Sequence, residues 1–204
     1  MMIDTGANVS PTVHVAIPVQ DEVELLPACI DALRRQEGVR LIAWFCVNQP
    51  EAWQNDRQER TICEANQVCL RLLEVIDDLD VRILDRTSPG RGWPPKHSGV
   101  GQARKELMDE ICMQAAPNDI IVSLDADTVA PPNYLQSVVA AFASHPTACG
   151  VAARERRGIE QGLRRHEQAR RAETALDRTM LHERPLQGVQ FVWAAPTARQ
   201  PLDG

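Results

Sequence analysis

The stretch Ile120–Val129, IIVSLDADTV, sets two carboxylates, Asp125 and Asp127, directly behind an apolar run. Ile120–Leu124 lacks the polar alternation of a half-exposed strand, so it is expected to be a strand buried on both faces. In an extended chain residues i and i+2 project to the same side, so both acids would meet in one crevice. Carboxylates held that close repel unless a cation is shared between them. Mg²⁺ or Mn²⁺, taking one or two carboxylates together with diphosphate oxygens, is the hard-ligand solution. A plainer alternative makes Asp127 or Thr128 the cap of a helix beginning near Pro131, with Asp125 merely solvated.

Three further strand candidates precede this one: Val13–Val19, Leu41–Val47 and Val81–Leu84. Helical spacing fills the intervals, with Val23, Leu26, Ile30 and Leu33 on one stripe and Ile62, Ala65, Cys69, Leu72 and Ile76 on another. Gln102–Met113 is a third helix, and Leu135, Val138, Val139 and Phe142 mark a fourth after the acid pair. Strict alternation of this kind predicts an α/β domain, an open and mostly parallel sheet flanked by helices. Such sheets bind ligands outside the carboxyl ends of their strands. The expected organisation is an N-terminal tail over 1–11, a binding domain over 12–150, and a different segment over 151–204. That last segment holds ten Arg, no Lys and seven acids. Ile159–Leu181 is expected as a charged helix, followed by a tail with Pro185, Pro196 and Pro201 and no evident strand.

Composition narrows the partners. With 44% hydrophobic residues in 204, the chain can bury a proper core. Aromatics at 4% and a net charge of −6 argue against nucleic acid, which demands a basic face and often stacking rings. The cysteines at 29, 46, 63, 69, 112 and 149 form no C-x-x-C pair, so they are expected as core residues in a reducing, cytoplasmic chain. The longest fully apolar run, Leu41–Val47, falls far short of the ~20 residues of a membrane span. No transmembrane segment is expected, and peripheral contact with a membrane stays open.

The acid pair has a basic counterpart. No acid lies between Asp85 and Glu106, an interval that carries Arg86, Arg91, Lys96, Arg104 and Lys105. It begins as a Gly/Pro loop and ends by entering a helix, an arrangement in which backbone amides and a helix start can receive a phosphate. The alternative is an ordinary solvated loop. Gly99-Val-Gly101 is no dinucleotide fingerprint, since the third glycine is missing.

Taken in order, these motifs resemble the family 2 glycosyltransferases of the GT-A, nucleotide-diphospho-sugar transferase fold. VAIPVQDEVELL (residues 15–26) is similar to that family's first strand and polar turn, and GVGQARKELMDE (residues 99–110) to its glycine-rich turn and helix start. VSLDADTVAPPNYL (residues 122–135) is similar to its D-x-D strand end. The resemblance implies transfer of a hexose, an EC 2.4 reaction, from a UDP- or GDP-sugar bound through a divalent cation. It implies that Pro18, Gln20 and Glu22 border the nucleoside, with Asn48 and Asp85 beside the base. Arg104, with Lys96 and Lys105 of the basic segment, would face the nucleotide. Asp125, Ala126 and Asp127 would hold ribose and the metal-bound diphosphate, the metal falling to Asp125 and Asp127. Gln20 stands where the family often has an aromatic, and Asn48-Gln49 replaces a common acidic pair.

An inverting transfer also needs a general base at the acceptor hydroxyl. The family's downstream E-D pair does not occur here, and Glu155, Glu160, Glu167, Glu173, Asp177 and Glu183 all lie in the Arg-rich segment. The catalytic base is therefore unassigned. The expectation is a donor half joined to a truncated or altered acceptor half, with impaired transfer. Two other readings are weighed. LDADTV (residues 124–129) also resembles the signature of haloacid-dehalogenase-type phosphatases, which would make Asp125 a nucleophile, but both lysines precede it. A non-catalytic nucleotide-binding module is the third.

Overall fold

Four parallel strands build the centre of the molecule: β1 (Thr12–Val19), β2 (Arg40–Asn48), β3 (Val81–Arg86) and β4 (Ile120–Ser123). Helices α1 (Leu26–Arg34), α2 (Arg60–Glu74) and α3 (Val100–Gln114) connect them, and α4 (Tyr134–Ser144) follows β4. This computed structural model describes residues 10–145, 148, 150–154 and 189–194. Two more strands, β5 (Gly150–Arg154) and β6 (Val189–Ala194), complete a sheet of order β3-β2-β1-β4-β6-β5. β6 runs antiparallel to both β4 and β5. The open, mostly parallel sheet is as expected. The tail expected to lack a strand supplies β6, whereas the expected helix over 159–181 lies outside the described residues.

Strand alternation sorts the core into two layers. Val13, Val15, Ile17 and Val19 of β1 point to one face with Phe45, Val47 and Val122, where they meet Leu26, Ile30, Leu33, Cys69, Leu73 and Leu135 from α1, α2 and α4. Ala16, Trp44, Cys46 and Ile121 point to the other, against Ala103, Leu107 and Ile111 of α3. Right-handed crossovers dictate this division. The chain steps outward from β1 to β2 to β3, then returns past β1 to lay down β4 on its far side. Reversing the direction of travel moves the connecting helix, α3, to the opposite face. Each large side chain buried this way contributes about 1.5–3 kcal/mol.

The same reversal creates a topological switch point between β1 and β4, the place where open α/β sheets receive ligands. At the opposite, amino end a buried polar group ties the layers together. Trp44 Nε1 donates to His14 Nδ1 at 3.2 Å, leaving the proton on Nε2 to face Asp119 Oδ2 at 3.3 Å. Asp119 also accepts the Thr12 and Ala116 amides, each at 2.8 Å. Burial alone would raise the Asp119 pKa, but those two amides and His14 hold it below the ordinary carboxylate value. Among the described residues no helix is long and apolar enough to cross a membrane.

Candidate functional site

The chain leaves β1 through Gln20–Glu22 and leaves β4 through Asp125–Asp127, side by side at the switch point. Leu124 N still donates to Ala16 O at 3.0 Å, which carries the ladder one residue past β4. The chain then turns, with Thr128 N donating to Asp125 O at 3.0 Å. Asp125–Thr128 is thus a tight turn and not the extended segment assumed from the sequence, so strand alternation does not aim its two acids. The turn itself sorts them: Ala126 is buried in the core, Asp125 is half-buried and Asp127 is exposed. The capping alternative also fails. Helix α4 starts at Tyr134 with Asn133 in the cap position and no side-chain capping bond.

Arg104, one turn into α3, forms an ion pair with Asp125 Oδ1. Beneath it α3 begins at Gly99, whose φ of 99° suits glycine, and no side chain caps the helix. A Cβ added at Gly99 or Gly101 would meet nothing within 4 Å, so the backbone there is open to approach.

The rest of the basic segment differs from expectation. Arg86 pairs with Glu106, Lys105 turns to Asp109 on its own helix, and Arg91 lies 3.5 Å from Asp85. Lys96 is exposed in the short 3-10 turn Pro95–His97. The loop amides expected to cradle a phosphate are also engaged. Glu51 accepts Gly90 N and Gly92 N, each at 2.8 Å, and an added Cβ on Gly92 would sit 2.7 Å from the Glu51 backbone. An internal carboxylate fills that nest, because the loop folds back onto the residues that follow β2. Within this segment the start of α3 is left uncapped, and Lys96 makes no ion pair among the described residues.

Several expected contacts lie under the site. Asn48 is 1% exposed, and its amide donates to Val19 O at 3.0 Å and Cys46 O at 3.3 Å, tying the end of β2 to the end of β1. Its Oδ1 is buried with no hydrogen-bond partner among the described residues. Asp85 accepts the Thr87 and Ser88 amides, both at 2.9 Å. Burial opposes ionisation there, but those bonds and Arg91 keep the carboxyl below its usual pKa. Pro18 is buried within β1 opposite Cys46. Gln20 and Glu22 are half-buried around Asp21, which adopts the left-handed φ of 58°.

Asn66 holds that strained turn. Fully buried on α2, it accepts Asp21 N at 2.9 Å and donates to Gln49 Oε1 at 2.9 Å, while Gln49 Nε2 reaches Thr87 O at 3.1 Å. This amide relay joins the exits of β1, β2 and β3. Sequence reasoning missed Asn66, Glu51 and Thr87. The available signal was a polar Asn on the otherwise apolar stripe of α2, which is expensive to bury without partners.

The donor set fits a hard cation only with help from a ligand. Among the described residues no group of three His, Cys, Asp or Glu side chains converges, leaving Asp125 and Asp127. Two carboxylates completed by diphosphate oxygens and water suit Mg²⁺ or Mn²⁺. Cys29 is no soft ligand: burial first, then the charges of Asp127 and Glu22, push its thiol up to about 12. Burial likewise lifts Cys46 to about 12, and Cys29, Cys46 and Cys69 are core residues as expected, whereas Cys63 is half-buried and Cys112 is exposed on α3.

The open, mostly parallel α/β sheet is of the GT-A type. Residues 95–195 match the family model described as "Glycosyl transferase family 2". Among solved structures, S. aureus TarS 1-349 in complex with UDP superposes with a TM-score of 0.51 at 13% identity, covering 90% of this chain and 47% of that one. The mannosyltransferase PcManGT from Pyrobaculum calidifontis, solved with GDP-Man and Mn²⁺, gives 0.48 at 20% identity, covering 73% and 37%. The chain spans less than half the length of these structures. No curated protein matches it.

Proposed function

We propose that the described residues form the donor site of a glycosyltransferase of the hexosyltransferase type, which transfers a sugar from a UDP- or GDP-sugar to an acceptor. The observation that carries this reading is the Arg104–Asp125 pair at the switch point, beside exposed Asp127 and the open start of α3. In this reading the α3 amides and Arg104 receive the diphosphate, while Gln20 and Glu22 border the nucleoside. Asp125 and Asp127 would hold Mg²⁺ or Mn²⁺, which when bound neutralises charge on the leaving diphosphate. Asn48 and Asp85 act from below by fixing the loop exits. The acidic candidates for a general base, Glu155 through Glu183, lie outside the described residues, so donor binding is the activity proposed for the described part.

Calorimetric titration with UDP and GDP, each with and without Mn²⁺, tests this. Binding that strengthens with Mn²⁺ is expected, and Asp127→Ala is expected to abolish the metal-dependent gain. No binding of either nucleotide under any condition would sink the proposal.

A further inference from the structure

We infer that Arg104 is an exchangeable counter-ion that makes cation and diphosphate binding cooperative; this rests on the donor-site reading above. Arg104 occupies Asp125, whereas Asp127 is exposed and has no hydrogen bond or ion pair among the described residues. A cation arriving alone therefore meets one uncompensated carboxylate, and Asp125 is already neutralised. The pair is not sealed: the Arg104 side chain is 23% exposed and that of Asp125 is 41% exposed. Exchange of partners thus requires side-chain rotation and no unpacking of α3.

A diphosphate offers the guanidinium a better partner, because it carries more charge and accepts the planar fork in a bidentate manner. When Arg104 turns to it, Asp125 is released and the acid pair regains its second charge for the cation. The cation in turn competes for Asp125 and drives Arg104 toward the phosphates. Each ligand raises the affinity for the other by the same factor, since coupling between binding sites is reciprocal. Asp127 is consequently the anchor of the cation in the free protein, and Asp125 joins only in the ternary complex.

The test is a titration matrix on the full chain: Mn²⁺ alone, GDP or UDP alone, and each in the presence of the other. Coupling in the parent is expected at roughly 5- to 150-fold. Arg104→Gln is expected to tighten Mn²⁺ binding in the absence of nucleotide, weaken nucleotide binding in the absence of metal, and lower the coupling to the share that diphosphate oxygens on the cation supply directly. Asp125→Asn, which frees Arg104 from the other end, is expected to tighten metal-free nucleotide binding while also lowering the coupling. Circular dichroism of both variants checks that the fold is retained, and the two substitutions approach the pair from different elements. Parent-like coupling in Arg104→Gln, or Mn²⁺ binding no tighter than the parent's, overturns the exchange while leaving the donor site standing. Absence of nucleotide binding in the parent overturns both.

Discussion

Replacing Asp119 by Ala tests whether the polar group at the amino ends of the strands holds the two layers together. The substitution strips the acceptor from Thr12 N, Ala116 N and the His14 ring. Ala116 is exposed and its amide can turn to water, but His14 is only 3% exposed and Thr12 half-buried. An orphaned buried donor costs about 1–3 kcal/mol, so the two together imply a loss of about 3 kcal/mol. For a chain of this size that corresponds to a fall in Tm of about 6–12 °C. Urea denaturation read by circular dichroism gives the free energy directly. Asp119→Asn adds a pH signature. Because the folded state lowers the Asp119 pKa, its contribution is complete above the unfolded value of ~3.9 and is lost as pH falls through the folded one. The deficit of Asp119→Asn should therefore be full at neutral pH and shrink below about pH 4. A deficit for Asp119→Ala under about 0.5 kcal/mol, the range of ordinary surface changes, would refute the reasoning. So would an Asp119→Asn deficit that stays constant into acid.

Gly92→Ala forces a methyl group against the Glu51 backbone and should cost about 1–3 kcal/mol in urea denaturation. Glu51→Ala acts on the same contact, so the double variant should fall well short of the sum of the singles. Asn66→Ala removes the acceptor for the Asp21 amide and should cost about 2 kcal/mol. Faster hydrogen exchange at Asp21 should accompany that loss, and unchanged exchange there would detach Asn66 from the turn.

Much of the sheet was legible because its information is local. The apolar runs at 13–19, 41–47, 81–84 and 120–124 fall within β1 to β4 or extend one residue beyond, and the stripes of α1 to α4 follow their helical spacing. β6 was not legible. VQFVWA alternates poorly, and its partners β4 and β5 are fixed by pairing that no local pattern announces. At the candidate site the residue types were readable, but their engagement was not. An Asp two residues after another suggested an extended clamp, yet the Thr128 amide closes a turn between them. A run of five cations suggested an open anion site, yet acids contributed from β3, α3 and the turn beyond β4 answer four of them. Long-range pairing of charge depends on the topology, which only the folded chain supplies.

The position of β3 at one margin of the sheet has a bearing on how the molecule behaves in concentrated solution. A marginal strand displays unpaired amides and carbonyls to any passing chain, and flat apolar margins recruit copies of themselves. Here Arg82, Asp85 and Arg86 make up half of the six residues of β3, and Arg82 is held by Asp80 just before it. Docking another strand would strip water from these ions and crowd the pairs that they already make. The arrangement that lets the chain finish its sheet outward at β3 thus also discourages edge-to-edge aggregation.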